Sequence, residues 1–162
     1  MKKLLLLFVS LIVYGCTNAQ NFTPPSTIPP YKILNTDSVN ITPASLKKNK
    51  PVMIIYFSPD CGHCQHLMNE MKPYFEKLKG VQVVMITFVI QLRAIQDFYK
   101  TYGLKNYPNF IVGTEGYPYA MQKFYQIKTT PYIAIYNKYG VLDKTFEKAP
   151  SMNDLMTEIK KL

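Results

Sequence analysis

After an apolar stretch at residues 4–13, the hydrophobic positions of this chain fall into continuous runs and helical stripes. "PVMIIYF" (51–57) and "VQVVMITFV" (81–89) are apolar without alternation, which predicts two strands buried on both faces. The first is followed by a helical pattern over residues 61–78, where Leu67, Met71, Phe75 and Leu78 recur at spacings of four, four and three. Pro73 predicts a bend there, because the bond to the Asn69 carbonyl is lost. "QLRAIQDFYKTYG" (91–103) predicts a second helix, closed by Gly103. "NFIV" (109–112) predicts a short strand and "YAMQKFYQI" (119–127) a third helix. "YIAIYN" (132–137) and "VLDKTFE" (141–147) flank the turn "KYG", and "SMNDLMTEIKKL" (151–162) reads as a helix capped by Ser151. Its apolar stripe is Leu155, Met156, Ile159 and Leu162. Ahead of all these, "YKILNTDSVNIT" predicts a small hairpin, and "TPASLKKNK" a helical turn with Thr42 as cap and Pro43 first. Strands alternating with helices, then a closing hairpin and helix, indicate an α/β sandwich around a mixed sheet.

Composition changes this picture mainly at the N-terminus. The chain has 162 residues, enough for one domain, and a hydrophobic fraction of 48% argues against disorder. Lys2 and Lys3 precede an apolar stretch too short to span a bilayer as a helix, which takes about 20 residues. Residues 1–19 are therefore expected to be an export signal. Two endings fit. "VYGC" resembles a lipoprotein box in which Cys16 becomes the lipidated N-terminus, the preferred reading; "TNA" before Gln20 resembles an ordinary cleavage site. Either ending places the protein outside the cytoplasm, in the periplasm or cell envelope, with a membrane anchor if Cys16 is lipidated. Residues 20–30, including "NFTPPSTIPP", read as a proline-rich tether, leaving 31–162 as the domain. The net charge of +9 comes from lysines dispersed through every element, so a solvated surface is expected and nucleic acid is not expected as a partner.

With Cys16 assigned to the leader, the cysteines of the domain are Cys61 and Cys64 in "SPDCGHCQH". A structural bridge across so short a loop removes little unfolded-state entropy, so the pair is expected to serve chemistry. At a helix N-terminus, unsatisfied N–H groups and the macrodipole favour a thiolate. Cys61 is then the nucleophile and Cys64, one turn on, the resolving thiol. His63 adds a titratable cation beside the Cys61 thiolate. Asp60 reads as the N-cap, with a second reading as a charge that tempers Cys61. The competing use is metal binding: Cys61, His63, Cys64 and His66 are soft or borderline donors suited to Zn or Cu(I). A structural zinc site needs a second, distant pair, which the chain lacks, so no metal is expected.

A buried strand, "CGHC" opening a helix and "TTP" (129–131) leading into a later strand resemble the thioredoxin superfamily. "CGHC" is similar to the active site of protein disulfide isomerases. The additional helix and strand between residues 90 and 125, with the leader, resemble the exported TlpA and ResA group. The resemblance implies a three-layer sandwich, with a mixed central β-sheet flanked by helices. It also implies a cis Pro131 beside the cysteines, with Thr130 before it, shaping a substrate groove. The implied activity is protein-disulfide oxidoreduction through a Cys61–Cys64 disulfide, with no dissociable cofactor. The implied partners are protein thiols and disulfides, and a membrane redox protein. A non-catalytic peptide-binding module is the third class, with Tyr107 and Tyr132 beside Pro131; the intact cysteine pair argues against it. The chain departs from the family at Ile55 and Leu67, where relatives carry an acid that moves protons, at Asp60 in place of a tryptophan, and in the position of Pro73. His63 and His66 are the candidates to replace the acid, and Glu70 lies one turn further along.

Overall fold

The computed structural model describes residues 22–162; the expected export signal, Cys16 and the start of the expected tether lie outside the described residues. Among the described residues, seven strands form one sheet: β1 (Ile33–Asn35), β2 (Asn40–Ile41), β3 (Val52–Phe57), β4 (Gln82–Thr87), β5 (Phe110–Thr114), β6 (Tyr132–Tyr136) and β7 (Leu142–Phe146). Their order is β2-β1-β5-β4-β3-β6-β7. The α-helices are α1 (Gly62–Met71), α2 (Leu92–Thr101), α3 (Ala120–Tyr125) and α4 (Met152–Ile159).

The two continuous apolar runs become the central parallel pair β3 and β4, and β5 extends the parallel set. All six residues of β3 are buried. Met53, Ile55 and Phe57 face one core with α1, α2 and α4; Val52, Ile54 and Tyr56 face a second core with α3. Covering both faces is what a strand without polar alternation requires. The crossovers β3–α1–β4 and β4–α2–β5 step in one direction across the sheet, so right-handed connections put both helices on one face. The connection from β5 to the antiparallel β6 returns across β4 and β3 and places α3 on the other face. The architecture is the three-layer sandwich expected.

Residues 61–78 do not form one bent helix. The α-helix ends at Met71 and a 3₁₀ segment runs from Lys72 to Leu78. Pro73 has no N–H to donate, so the backbone tightens there instead of continuing the α ladder. The stripe survives the change, since Leu67, Met71, Phe75 and Leu78 are all buried. Gly103 closes α2 in the left-handed region, at φ 65°. Gly113 has a different duty: a Cβ there would lie 2.6 Å from the Leu34 carbonyl oxygen, so β1 can pair with β5 only past a bare backbone. The proline-rich segment is extended but docked, with Thr27 bridging Val141 and Leu142 N–H donating to Ser26 O at 2.8 Å. Among the described residues no helix is long and apolar enough to cross a membrane.

Candidate active site

β3 delivers the chain to the site. After Phe57 a tight turn forms, with Cys61 N–H donating to Ser58 O at 3.1 Å, and Cys61 becomes the N-cap of α1. Asp60, expected as the cap, stands one residue earlier and is exposed. The turn leaves Cys61 with extended backbone (φ −80°, ψ 115°), the conformation that an N-cap requires, while its carbonyl accepts the first helical bond from Gln65 N–H at 3.0 Å. Gln65 Nε2 donates back to Pro59 O at 2.8 Å and braces the turn.

Cys61 is half-buried, Cys64 is buried, and both are free thiols. Across from them the Thr130–Pro131 bond is cis, and Cys61 Sγ donates to Thr130 O at 3.5 Å. The two sulfurs sit in unequal surroundings. Burial raises the Cys61 thiol, but hydrogen bonds from the Thr130 side chain, from Cys64 Sγ and from the backbone at Cys64 and His63 outweigh it and hold the thiol below its ordinary value. Burial pushes Cys64 up to about 12, a rise that bonds to the Ser58 backbone and the Thr130 side chain offset in part and that Cys61 reinforces. One thiol is therefore prepared as a thiolate, while its neighbour remains a donor to it.

The histidines are placed less centrally. His63 is exposed, and its backbone is what reaches the Cys61 sulfur. His66 points outward and lies 3.5 Å from Glu70 Oε1 on the helix surface. Among the described residues no three His, Cys, Asp or Glu side chains converge to hold a metal ion, so the four donors of residues 61–66 do not make one coordination sphere. Ile55 and Leu67 lie in the apolar core with Cys64.

Two features escaped sequence reasoning. Tyr102 packs in the core that holds Cys64, and its hydroxyl donates to Gln65 O at 3.2 Å. Burial and then Cys64 push that hydroxyl up. Glu115 is a buried carboxylate on the opposite side of the sheet, accepting from Tyr56 Oη at 2.9 Å and from Met121 N–H at 2.8 Å. An acid directly after an apolar strand, as in "FIVGTE", was its available signal.

The thioredoxin-like domain model matches residues 42–147 of this sequence, spanning β3, the cysteines, the cis proline and β7. The chain belongs to the thioredoxin-like family. Protein disulfide isomerase-like 2-2 of Oryza sativa subsp. japonica is 30% identical to this thioredoxin-like chain over 97 residues, covering 58% of the chain and 24% of that protein. Protein disulfide-isomerase like 2-2 of Arabidopsis thaliana is 29% identical over 86 residues, covering 53% and 19%. The chain thus spans about a quarter or less of the relatives it matches. Among solved structures, a secreted Mycobacterium tuberculosis disulfide oxidoreductase homologous to Escherichia coli DsbE has a TM-score of 0.68 at 19% identity, covering 82% of this chain and 96% of that one. A thiol-disulfide oxidoreductase from Bacteroides fragilis also scores 0.68, at 15% identity, covering 83% and 98%. At such identities the likeness shows a shared fold.

Proposed function

We propose that this protein is an exported thiol–disulfide oxidoreductase acting on protein thiols and disulfides. One observation carries the proposal: an accessible thiol held below its ordinary pKa stands at a helix N-terminus beside a buried thiol raised to about 12, both against Thr130. The Cys61 thiolate attacks one sulfur of a substrate disulfide; that S–S bond breaks and the other substrate sulfur leaves as a thiol. Cys64 then loses its proton and attacks Cys61 Sγ. The Cys61–Cys64 bond forms and the second substrate sulfur departs. Two electrons have passed to the substrate, with one proton from Cys64 and one from solvent, and the reverse sequence oxidises a dithiol. The electrons reside on the two sulfurs, so neither a dissociable cofactor nor a metal enters the proposal. Pro131 and Thr130 line the side from which a substrate chain approaches. Cleavage or lipidation at the N-terminal leader, with Cys16 as the lipidated residue, places the protein in the cell envelope, where a membrane redox protein can turn it over.

The test is equilibration of the purified protein in glutathione buffers, with the Cys61–Cys64 state read by mass after alkylation. A reversible couple is expected. A potential near the roughly −180 mV of disulfide isomerase marks an oxidant or isomerase, and one near the roughly −270 mV of thioredoxin a reductase. Absence of an intramolecular disulfide at every poise overturns the proposal. In the same assay Cys64→Ser is expected to accumulate a mixed disulfide through Cys61, and Cys61→Ser to accumulate none.

A further inference from the structure

A substrate sulfur that reaches Cys61 arrives beside Thr130, and Thr130 has a second neighbour. With Tyr56, Phe88, Tyr119, Lys128 and Thr129 it lines a cavity of about 320 Å³ on the face of the sheet away from Cys64. One wall is aromatic and built, and Gln122 and Ile127 complete the lining. Tyr56 is held by its hydroxyl on the buried Glu115, whose other oxygen accepts from Met121 N–H in the first turns of α3. The ring centroids of Tyr56 and Phe88 are 6.0 Å apart, and those of Phe88 and Tyr119 6.1 Å, with interplanar angles of 35° and 36°. Phe88 and Tyr119 remain half-exposed, although Tyr119 is held in the left-handed region at φ 49°, unfavourable for an aromatic residue. Beyond them, Ile90 and Tyr117 are exposed at 43% and 71% on the two loops that carry Phe88 and Tyr119.

We propose that this cavity is a specificity pocket that takes an aromatic side chain of the substrate polypeptide, one or two residues from its reacting cysteine. The inference rests on the redox reading above and names the substrate class for that site. A polypeptide is the occupant because the pocket and the attacking sulfur share Thr130, so a chain bonded at Cys61 runs past the pocket mouth. An aromatic ring is the fitting group because a cavity of about 150 Å³ already takes a benzene molecule, and three tilted rings offer edge and face contacts. Lys128 at the rim favours an acidic over a basic neighbour for that ring.

The experiment compares kcat/KM for disulfide peptides that differ only in phenylalanine or alanine at the positions flanking the cysteine. The full protein and its Phe88→Ala and Phe88→Leu variants are measured, with oxidised glutathione as a third substrate. A preference of about tenfold or more for the aromatic peptide is expected, carried mainly in KM. Each variant is read as its ratio between the two peptides, so a general loss of activity cancels; the ratio falls towards one in Phe88→Ala and less in Phe88→Leu. Equal kcat/KM for both peptides in the unaltered protein overturns the pocket while leaving the redox reading intact, as does a ratio unmoved by Phe88→Ala. Failure to exchange with either peptide and with glutathione instead overturns the redox reading. The pocket is then read by equilibrium binding of the same peptides with serine for cysteine: tighter binding of the aromatic member supports it, and equal binding overturns it.

Discussion

At the scale of single residues, the division of labour between the cysteines comes from burial and from what donates to each sulfur. Cys61 should alkylate with a pH midpoint below that of an ordinary thiol, because its thiolate accepts hydrogen bonds from the Thr130 side chain, from Cys64 Sγ and from the backbone at the start of α1. Below that midpoint the rate falls as the thiolate is protonated. Cys64 should stay unreactive up to pH 9, since its thiol is raised to about 12. Measuring iodoacetamide labelling at each cysteine by mass across pH 5–10 checks both. Thr130→Val removes a hydroxyl that favours the charged form of Cys61, so the midpoint is expected to move upward. An unchanged midpoint would mean that Cys64 Sγ and the backbone of α1 lower this thiol without Thr130. His63 enters the same measurement: replacing its exposed imidazole tests whether the side chain adds to what the backbone at that position already does.

At the scale of elements, β3 and α1 together make the site. Ile55 points from β3 into the core that holds Cys64, so the strand is apolar and closed beside the buried thiol. Ile55→Asp is expected to speed release of the mixed disulfide near neutral pH by supplying a proton acceptor. It should also lower stability by about 3 kcal/mol or more, since it removes core packing and buries a carboxylate. Single-turnover release and denaturant unfolding measure the two effects separately. A far element gives the contrasting case. Ser151 Oγ accepts from Asp154 N–H at 3.1 Å and caps α4, so Ser151→Ala should cost about 1 kcal/mol without altering exchange kinetics. The 3₁₀ segment after Met71 is a milder lesson: the apolar stripe foretold burial correctly, while the hydrogen-bond pattern depended on one missing N–H at Pro73.

For the molecule as a whole, the C-terminal ends of β3, β4 and β5 bring together the cysteine turn, the loop with Phe88 and the loop with Tyr119, and the cis proline closes the group. Open α/β sheets place their ligand sites at this end of the strands. The N-terminal segment bears on the same pole. Phe22 lines a cavity with Lys128 and Thr129, so the described chain begins beside the cis-proline loop. Five residues separate Phe22 from Cys16, a reach of about 20 Å when extended. If Cys16 is lipidated, the active pole is therefore held close to the bilayer. The lipidated protein is then expected to exchange with a bilayer-embedded dithiol faster than the same protein carrying Cys16→Ser, while both act equally on oxidised glutathione. Equal rates on the embedded dithiol would place the pole away from the membrane.

Local pattern carried much of this structure. Continuous apolar runs foretold β3 and β4, because strands covered on both faces leave no polar position; Gly103 and Ser151 foretold helix ends, because backbone φ and an unsatisfied N–H are local demands. "CGHC" after such a run foretold a cysteine at a helix start for the same reason. The rest required residues distant in sequence to meet. The cap fell on Cys61 and not Asp60 because the turn from Ser58 chose the register. Tyr102 came to lie near Cys64, and Glu115 under Tyr56, through helix and strand packing that no spacing encodes. The unequal acidity of the two thiols was decided at the same level. Helix position favours a thiolate at Cys61, but the depth of Cys64 and the approach of Thr130 exist only once β6 has paired with β3.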